Sequence, residues 1–265
     1  MLDTILRDIF AQQWLTFVVV SVLLLGAAES GYRFGLLLYR ANDIARIGQI
    51  SGTQNAMLGL LSLLIGFTFV MAEGRYETRR GLVVQEANAI GTTYLRASLL
   101  PEPHKQEVEN LLRRYVDLRL DFYNAGEDKV KLAAAEQAAT QIHRKLWTQA
   151  VAAGQSIPSP IVATFITSLN ETIDLDATRQ NALHARVPVA VWLLVLAVAI
   201  CGCFVTGLGA GASNERSAFA NGLLPLLITV AVMLIADLDR PRGGLIRIDQ
   251  GPLLNLKQSL QPGQP

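Results

Sequence analysis

Four long apolar runs limit what this 265-residue chain can fold into more than any other feature. They cover residues 14–28 (with a continuation through Gly35 to Leu38), 56–72, 187–208 and 222–236. A bilayer-crossing helix needs roughly 20 mostly apolar residues, within a range of about 17–25. The third run meets this outright, and the second and fourth do so with their flanks. The first could be a cleavable leader ending near Ala27 and Ala28, but Asp3, Arg7 and Asp8 make a poor positive leader segment. It reads as a retained span, and the expectation is four spans.

Composition agrees with a chain that lives partly in lipid. Hydrophobic residues make up 51%, charged residues 17%, and the net charge is +1; the mean hydropathy is +0.33. Disorder needs the opposite balance, and a nucleic-acid binder needs a basic excess that is absent. Cys201 and Cys203 are too few for a disulfide framework and read as small apolar packers.

Between the second and third runs lies a polar block, 73–186. It holds 14 of the 23 Lys and Arg, 14 of the 22 Asp and Glu, and His104, His143 and His184. The expected divisions are 1–72 (N-terminal tail and spans 1 and 2), 73–186 (helical cytoplasmic region), 187–238 (spans 3 and 4) and 239–265 (cytoplasmic tail). Basic residues near span ends mark the cytoplasmic side. With four spans, one side carries Arg7, Arg75, Arg79, Arg80, Arg179, Arg186, Arg240, Arg242 and Arg247, and the other Arg40, Arg46 and Arg216. The expectation is a multi-pass cell (inner) membrane protein with both termini and the block cytoplasmic.

The fold class expected is an all-α integral membrane protein: four transmembrane helices, with a helical cytoplasmic block between spans 2 and 3. No proline occurs in 1–100, so the second span can continue beyond the membrane until Pro101 and Pro103. Further helices are expected over 104–123, with Val108, Leu111, Leu112, Tyr115 and Leu118 on one stripe, over about 128–152, and from Ser159 towards Arg186 with Pro160 in the first turn. Pro188 opens the third span.

No phosphate-binding glycine loop, metal-ligand spacing or nucleophile–base pair is present. The chain does not read as an enzyme, and no cofactor or metal is expected. Glu29 and Arg33, four apart on one helix, are placed to pair. In the second span Gly59, Ser62, Gly66 and Val70 share one face, and Leu58, Leu61, Ile65 and Phe69 another. Small residues permit close packing of helices, which is the simpler reading of these faces; an apolar pore constriction is the functional one. After the fourth span, Asp237, Asp239, Arg240 and Arg242 can pair locally before Pro241 and the glycines turn the chain.

The stretch 59–101 resembles the bestrophin-like family of membrane proteins, first catalogued as a domain of unknown function and distantly similar to bestrophin ion channels. The resemblance rests on Gly66-Phe67, Arg75-Tyr76, Arg79-Arg80, the run Glu86-Ala-Asn88-Ala-Ile-Gly91, and Tyr94-Leu-Arg96-Ala97. Further support comes from Leu169 to Asp174 with Arg179, Arg186-Val-Pro188, and Leu238-Asp239-Arg240-Pro241-Arg242 with Gly244-Leu-Ile246. Glu86, Asn88, Arg96, Asp174, Asp239 and Arg240 are the motif positions to which it gives a structural role.

The resemblance implies a homo-oligomeric ion channel, a pentamer by relation to bestrophins, passing small monovalent ions through a central pore lined by span 2. Leu61, Ile65 and Phe69 would form its neck. Glu73, Glu77, Arg75, Arg79 and Arg80 would form its mouth. The arginines favour anions and the glutamates cations, with a slight edge to anions. Partners are then the lipid bilayer, small inorganic ions and further copies of the chain, not nucleic acid. The alternative is a membrane-anchored scaffold or regulator whose cytoplasmic helices bind a partner.

Overall fold

Prolines and turn residues set where the helices of this chain stop. The computed structural model describes residues 13–40, 44–126, 128–156, 158–214 and 218–261. Asp3, Arg7, Asp8 and Arg216, and the side chains of Arg40 and Arg46, lie outside the described residues. The helices are α1 (Gln13–Arg40), α2 (Ile44–Ala97), α3 (His104–Asn124), α4 (Lys129–Ser156), α5 (Pro160–His184), α6 (Val189–Ala212), α7 (Ala218–Asp239) and α8 (Gly251–Ser259). Among the described residues there is no strand.

α2 runs 54 residues, about 80 Å at 1.5 Å per residue, and stops before Pro101 and Pro103, as the absence of earlier proline predicts. α3 closes at Ala125, and Gly126 takes a left-handed φ of 58° that a residue with a side chain adopts reluctantly. Ser159 caps α5, its Oγ accepting from the Val162 N–H at 3.3 Å with Pro160 in the first turn. α4 continues to Ser156, four residues past the expected end. α8 was not expected; it begins with Pro252 near its N-terminus and buries Leu253.

Four helical stretches are long and apolar enough to cross a membrane: Trp14–Tyr39, Gln49–Ala97, Pro160–Ala212 and Gly222–Asp239. The chain divides into two compact units. One comprises 1–75 and 186–240, the other 76–185 and 241–265.

In the first unit, Val20, Leu24 and Ala28 of α1, Leu61 of α2, Val195 and Cys203 of α6, and Ile228 and Val232 of α7 form one apolar core. Cys203 is buried there and Cys201 is exposed. α1 and α6 touch backbone to backbone. A Cβ at Gly207 would lie 1.9 Å from the Ala28 carbonyl oxygen, one at Gly211 2.1 Å from that of Tyr32, one at Gly31 2.0 Å from that of Phe204, and one at Gly35 2.2 Å from that of Leu208. Each helix thus presents two glycines four residues apart, the spacing that lets membrane helices approach closely.

Within one chain, the small residues of span 2 do not pack closely against another helix. Gly59 and Gly66 have no neighbouring atom within 4 Å of where a Cβ would stand. Within this chain, tight glycine packing falls on α1 and α6 instead, because both offer paired glycines at matching heights.

In the second unit, Ile90, Leu112, Tyr115, Leu146, Phe165, Leu169 and Leu253 share a core drawn from α2, α3, α4, α5 and α8.

Candidate functional site

At 100° per residue, Gly59, Ser62, Gly66, Val70, Glu73 and Glu77 fall within about 40° of one line along α2. All six are exposed, Val70 to 63%. The opposite line is closed: Leu61 is 3% exposed, and Thr68, Ala72 and Arg79 are buried. The Ser62 hydroxyl donates back to the Leu58 carbonyl at 2.9 Å, and Thr68 does the same to Leu64, so neither leaves its donor unused.

This placement separates the expected neck and mouth residues. Leu61 is packed inside the first unit's core and Ile65 lies half-buried against it. Their side chains hold α2 to its own bundle. Phe69 is 39% exposed. At the expected mouth, Glu73, Glu77 and Arg80 are exposed, Arg75 is half-buried and Arg79 is buried. Arg80 Nη1 lies 3.4 Å from Glu77 Oε1, a surface pair worth little on its own.

The second unit holds a buried charge cluster. Glu86 is fully buried, its Oε1 accepting from Arg119 Nε at 2.9 Å and from the Tyr115 hydroxyl at 3.3 Å. Its other oxygen pairs with Arg179 Nη1. Arg119 Nη1 reaches Asp176 Oδ1 at 2.8 Å. Arg119 and Arg179 are 1% and 2% exposed. Two carboxylates therefore meet two guanidiniums, and charges are tolerated at such depth only when matched in this way.

Aromatic faces complete the enclosure. Arg119 lies over Phe122, Arg179 over Tyr123 and Arg242 over Phe122, with Cζ to ring-centre distances of 4.8, 4.9 and 4.1 Å. Burial, with the nearby Glu86 charge, holds the Tyr115 phenol well above its usual range. Burial presses Arg119 downward, but Glu86, Tyr115 and Asp176 outweigh it and leave the guanidinium more firmly protonated. His143, its ring centre 4.9 Å from that of Tyr115, is pushed below 6.5 by burial, with Asp176 opposing and Arg119 adding to the shift.

Beside this cluster, Thr93 Oγ1 donates towards the Ala89 and Ser168 carbonyls at 2.8 and 2.9 Å and meets Thr172 Oγ1 at 2.9 Å. Arg96 Nη1 donates to the Thr164 carbonyl at 3.0 Å. The run from Glu86 to Ala97 is thereby tied to α5. Asn88 and Asp174 are exposed and line a surface groove of about 740 Å³ with Thr92, Asn170, Glu171 and Thr178.

In the first unit, Asp239 accepts the Val187 backbone N–H with both carboxylate oxygens, at 3.0 and 3.2 Å, and so joins the end of α7 to the start of α6. Arg240 is half-buried beside it. The Glu29–Arg33 pair expected from spacing is present at 2.9 Å.

Arg119 and Asp176 were not singled out from the sequence, and Arg179 only as one of the arginines near a span end and as part of the resemblance. A signal existed. Glu86 sits between Leu82 and Ile90, and Arg119 between Val116 and Phe122, each a charge on an otherwise apolar stripe. Two opposite charges so placed on different helices imply a buried pair. Among the described residues, no cluster of His, Cys, Asp or Glu is arranged to hold a metal ion.

The Bestrophin-like domain matches residues 39–253 of this sequence. The chain belongs to the Bestrophin-like family. No curated protein matches it. Among solved structures, its fold is similar to a crystal structure of a membrane protein, with a TM-score of 0.65, 11% identity, and coverage of 89% of this chain and 97% of that one. It is also similar to a bacterial bestrophin homologue from Klebsiella pneumoniae in two crystal structures. A point variant gives a TM-score of 0.62, 12% identity and coverage of 87% and 96%. A second structure gives 0.61, 11%, and 87% and 94%. At such identities these likenesses establish the fold alone, and the bestrophin-like match of 39–253 takes in both the open face of α2 and the charge cluster.

Proposed function

We propose that this bestrophin-like chain assembles as a homo-oligomeric ring, a pentamer, and conducts small monovalent ions passively through a central pore lined by α2. The observation that carries the reading is the open face of α2. A helix whose small face is left uncovered over 59–77 while its opposite face is packed is suited to stand beside copies of itself around an axis. Membership of the family and the fold of bestrophin homologues support it. The distribution of arginine supports a cell (inner) membrane protein with both termini and the 73–186 block in the cytoplasm.

Within that reading, Phe69 is the expected neck residue that can reach the passage. Leu61 and Ile65 set the orientation of α2 from behind. The mouth carries Glu73, Glu77 and Arg80 on the open face, while Arg79 is withdrawn from it. The slight edge to anions rested on Arg75, Arg79 and Arg80; Arg79 is buried, whereas Arg80 stands on the same line of α2 as Ser62, 3.4 Å from Glu77, so the mouth carries charges of both signs and the slight edge to anions is kept as the proposal. Glu73→Gln with Glu77→Gln should shift the reversal potential in a potassium chloride gradient towards chloride. An unchanged reversal potential would remove these two residues from the mouth.

One observation favours the second reading, a membrane-anchored scaffold. The polar groove containing Asn88 and Asp174 is large and open, and it is suited to a partner's polar segment. Absence of current from well-folded protein would favour it.

A further inference from the structure

We infer that the second unit holds one small monovalent inorganic anion, of the chloride class, between Arg242 and the buried guanidiniums of Arg119 and Arg179. Three guanidiniums gather there on two aromatic rings. Arg119 and Arg242 both lie on Phe122, Arg179 lies on Tyr123, and the two ring centres are 6.0 Å apart. The carboxylates that touch this group have their oxygens taken. Glu86 Oε1 faces Arg119 Nε and the Tyr115 hydroxyl, and Oε2 faces Arg179 Nη1. Asp176 Oδ1 faces Arg119 Nη1, and Oδ2 accepts from Gln180 Nε2 at 3.2 Å.

Three donors are left over. Arg119 Nη2, Arg179 Nη2 and Arg242 Nε are buried and have no hydrogen-bond partner, and the first two belong to side chains that are 1% and 2% exposed. A buried donor without an acceptor is costly, more so when it is charged. Glu136 of α4 is half-buried and acts on Arg119 and Arg242 through its charge, but among the described residues no ion pair joins it to either. Burial pushes the Arg242 guanidinium downward, Glu136 opposes the shift and Arg119 adds to it, so Arg242 stands within electrostatic reach of the cluster. Its charge also acts on Arg179. Three guanidiniums against the two carboxylates in contact leave one positive charge, which a monovalent anion balances and a divalent one reverses. Arg242, half-buried, is the side from which a small ion enters. Bound there, the anion ties the segment after α7 to α3 and α5. The site uses no residue of the open face of α2, and its occupancy does not depend on conduction.

The test uses the full chain purified in neutral detergent at pH 7.5, where His143 is uncharged, with sodium chloride replacing sodium gluconate at constant ionic strength. The melting temperature should rise with chloride along a saturable curve. Arg242→Gln, which breaks no ion pair among the described residues, should move half-saturation to roughly tenfold higher chloride, the loss of one charge-assisted contact. Glu136→Gln removes an opposing negative charge and should move half-saturation to lower chloride. If Arg242→Gln does not fold, Glu136→Gln carries the test. No rise with chloride would give the three donors to water and overturn the inference. An identical curve in Arg242→Gln would do so by placing the anion elsewhere, and an unchanged or weakened chloride response in Glu136→Gln by making that carboxylate the partner of Arg242. A larger rise with sulfate at equal ionic strength would contradict the monovalent occupant.

Discussion

At the scale of single residues, the charges of the second unit have the largest energetic consequences. Glu86→Ala leaves Arg119 and Arg179 buried without a shared counter-charge, which typically costs about 3–5 kcal/mol. The melting temperature in detergent should fall by roughly 10 °C, and a loss of under about 2 °C would mean that the cluster is not closed in solution. His143 gives the pH dependence a sign. Its folded pKa lies below 6.5 through burial, so on acidification the unfolded chain takes up a proton before the folded one. Stability is therefore complete above 6.5 and declines as pH falls through that value. His143→Gln should flatten the part of the melting-temperature decline between about pH 7.5 and 5.5 that this group causes. An identical slope in the variant would assign the decline elsewhere.

At the scale of elements, the glycines divide into two kinds that the sequence does not distinguish. Gly207 stands 1.9 Å, through a would-be Cβ, from the Ala28 carbonyl, whereas Gly66 faces open space. Gly207→Leu should therefore abolish folding of the bundle, with loss of the monodisperse detergent-solubilised species in size-exclusion chromatography. Gly66→Ala should leave the stability of the isolated chain within about 0.5 kcal/mol of the parent, and its effect should appear in assembly or current. A severe folding defect in Gly66→Ala would mean that the open face is covered within one chain. The same contrast shows how far the sequence can be read. Helix starts and stops follow locally from Pro101, Pro160 and Pro188, and the Glu29–Arg33 pair follows from four-residue spacing. Which glycine stripe meets a neighbour, and that Leu61 rather than Gly59 turns inward, depends on how the helices pack, which spacing along one helix does not contain. α8 escaped notice because nine residues with one fully buried leucine leave no periodic pattern.

At the scale of the whole molecule, the family and fold are established and conduction is the claim that remains open to experiment. In the proposed channel the ring rests on the uncovered face of α2, and the sign of the ion on the balance of Glu73, Glu77 and Arg80 upon it. Phe69→Ala should raise unitary conductance if that side chain narrows the passage, and unchanged currents would take it out of the neck. The most direct test is a reversal potential. The purified chain, reconstituted in a planar bilayer under a potassium chloride gradient, should carry a current that reverses towards the chloride equilibrium potential. Reversal towards the potassium potential would contradict the anion preference and give the mouth to Glu73 and Glu77, and no current across voltage, pH and calcium would contradict the channel itself.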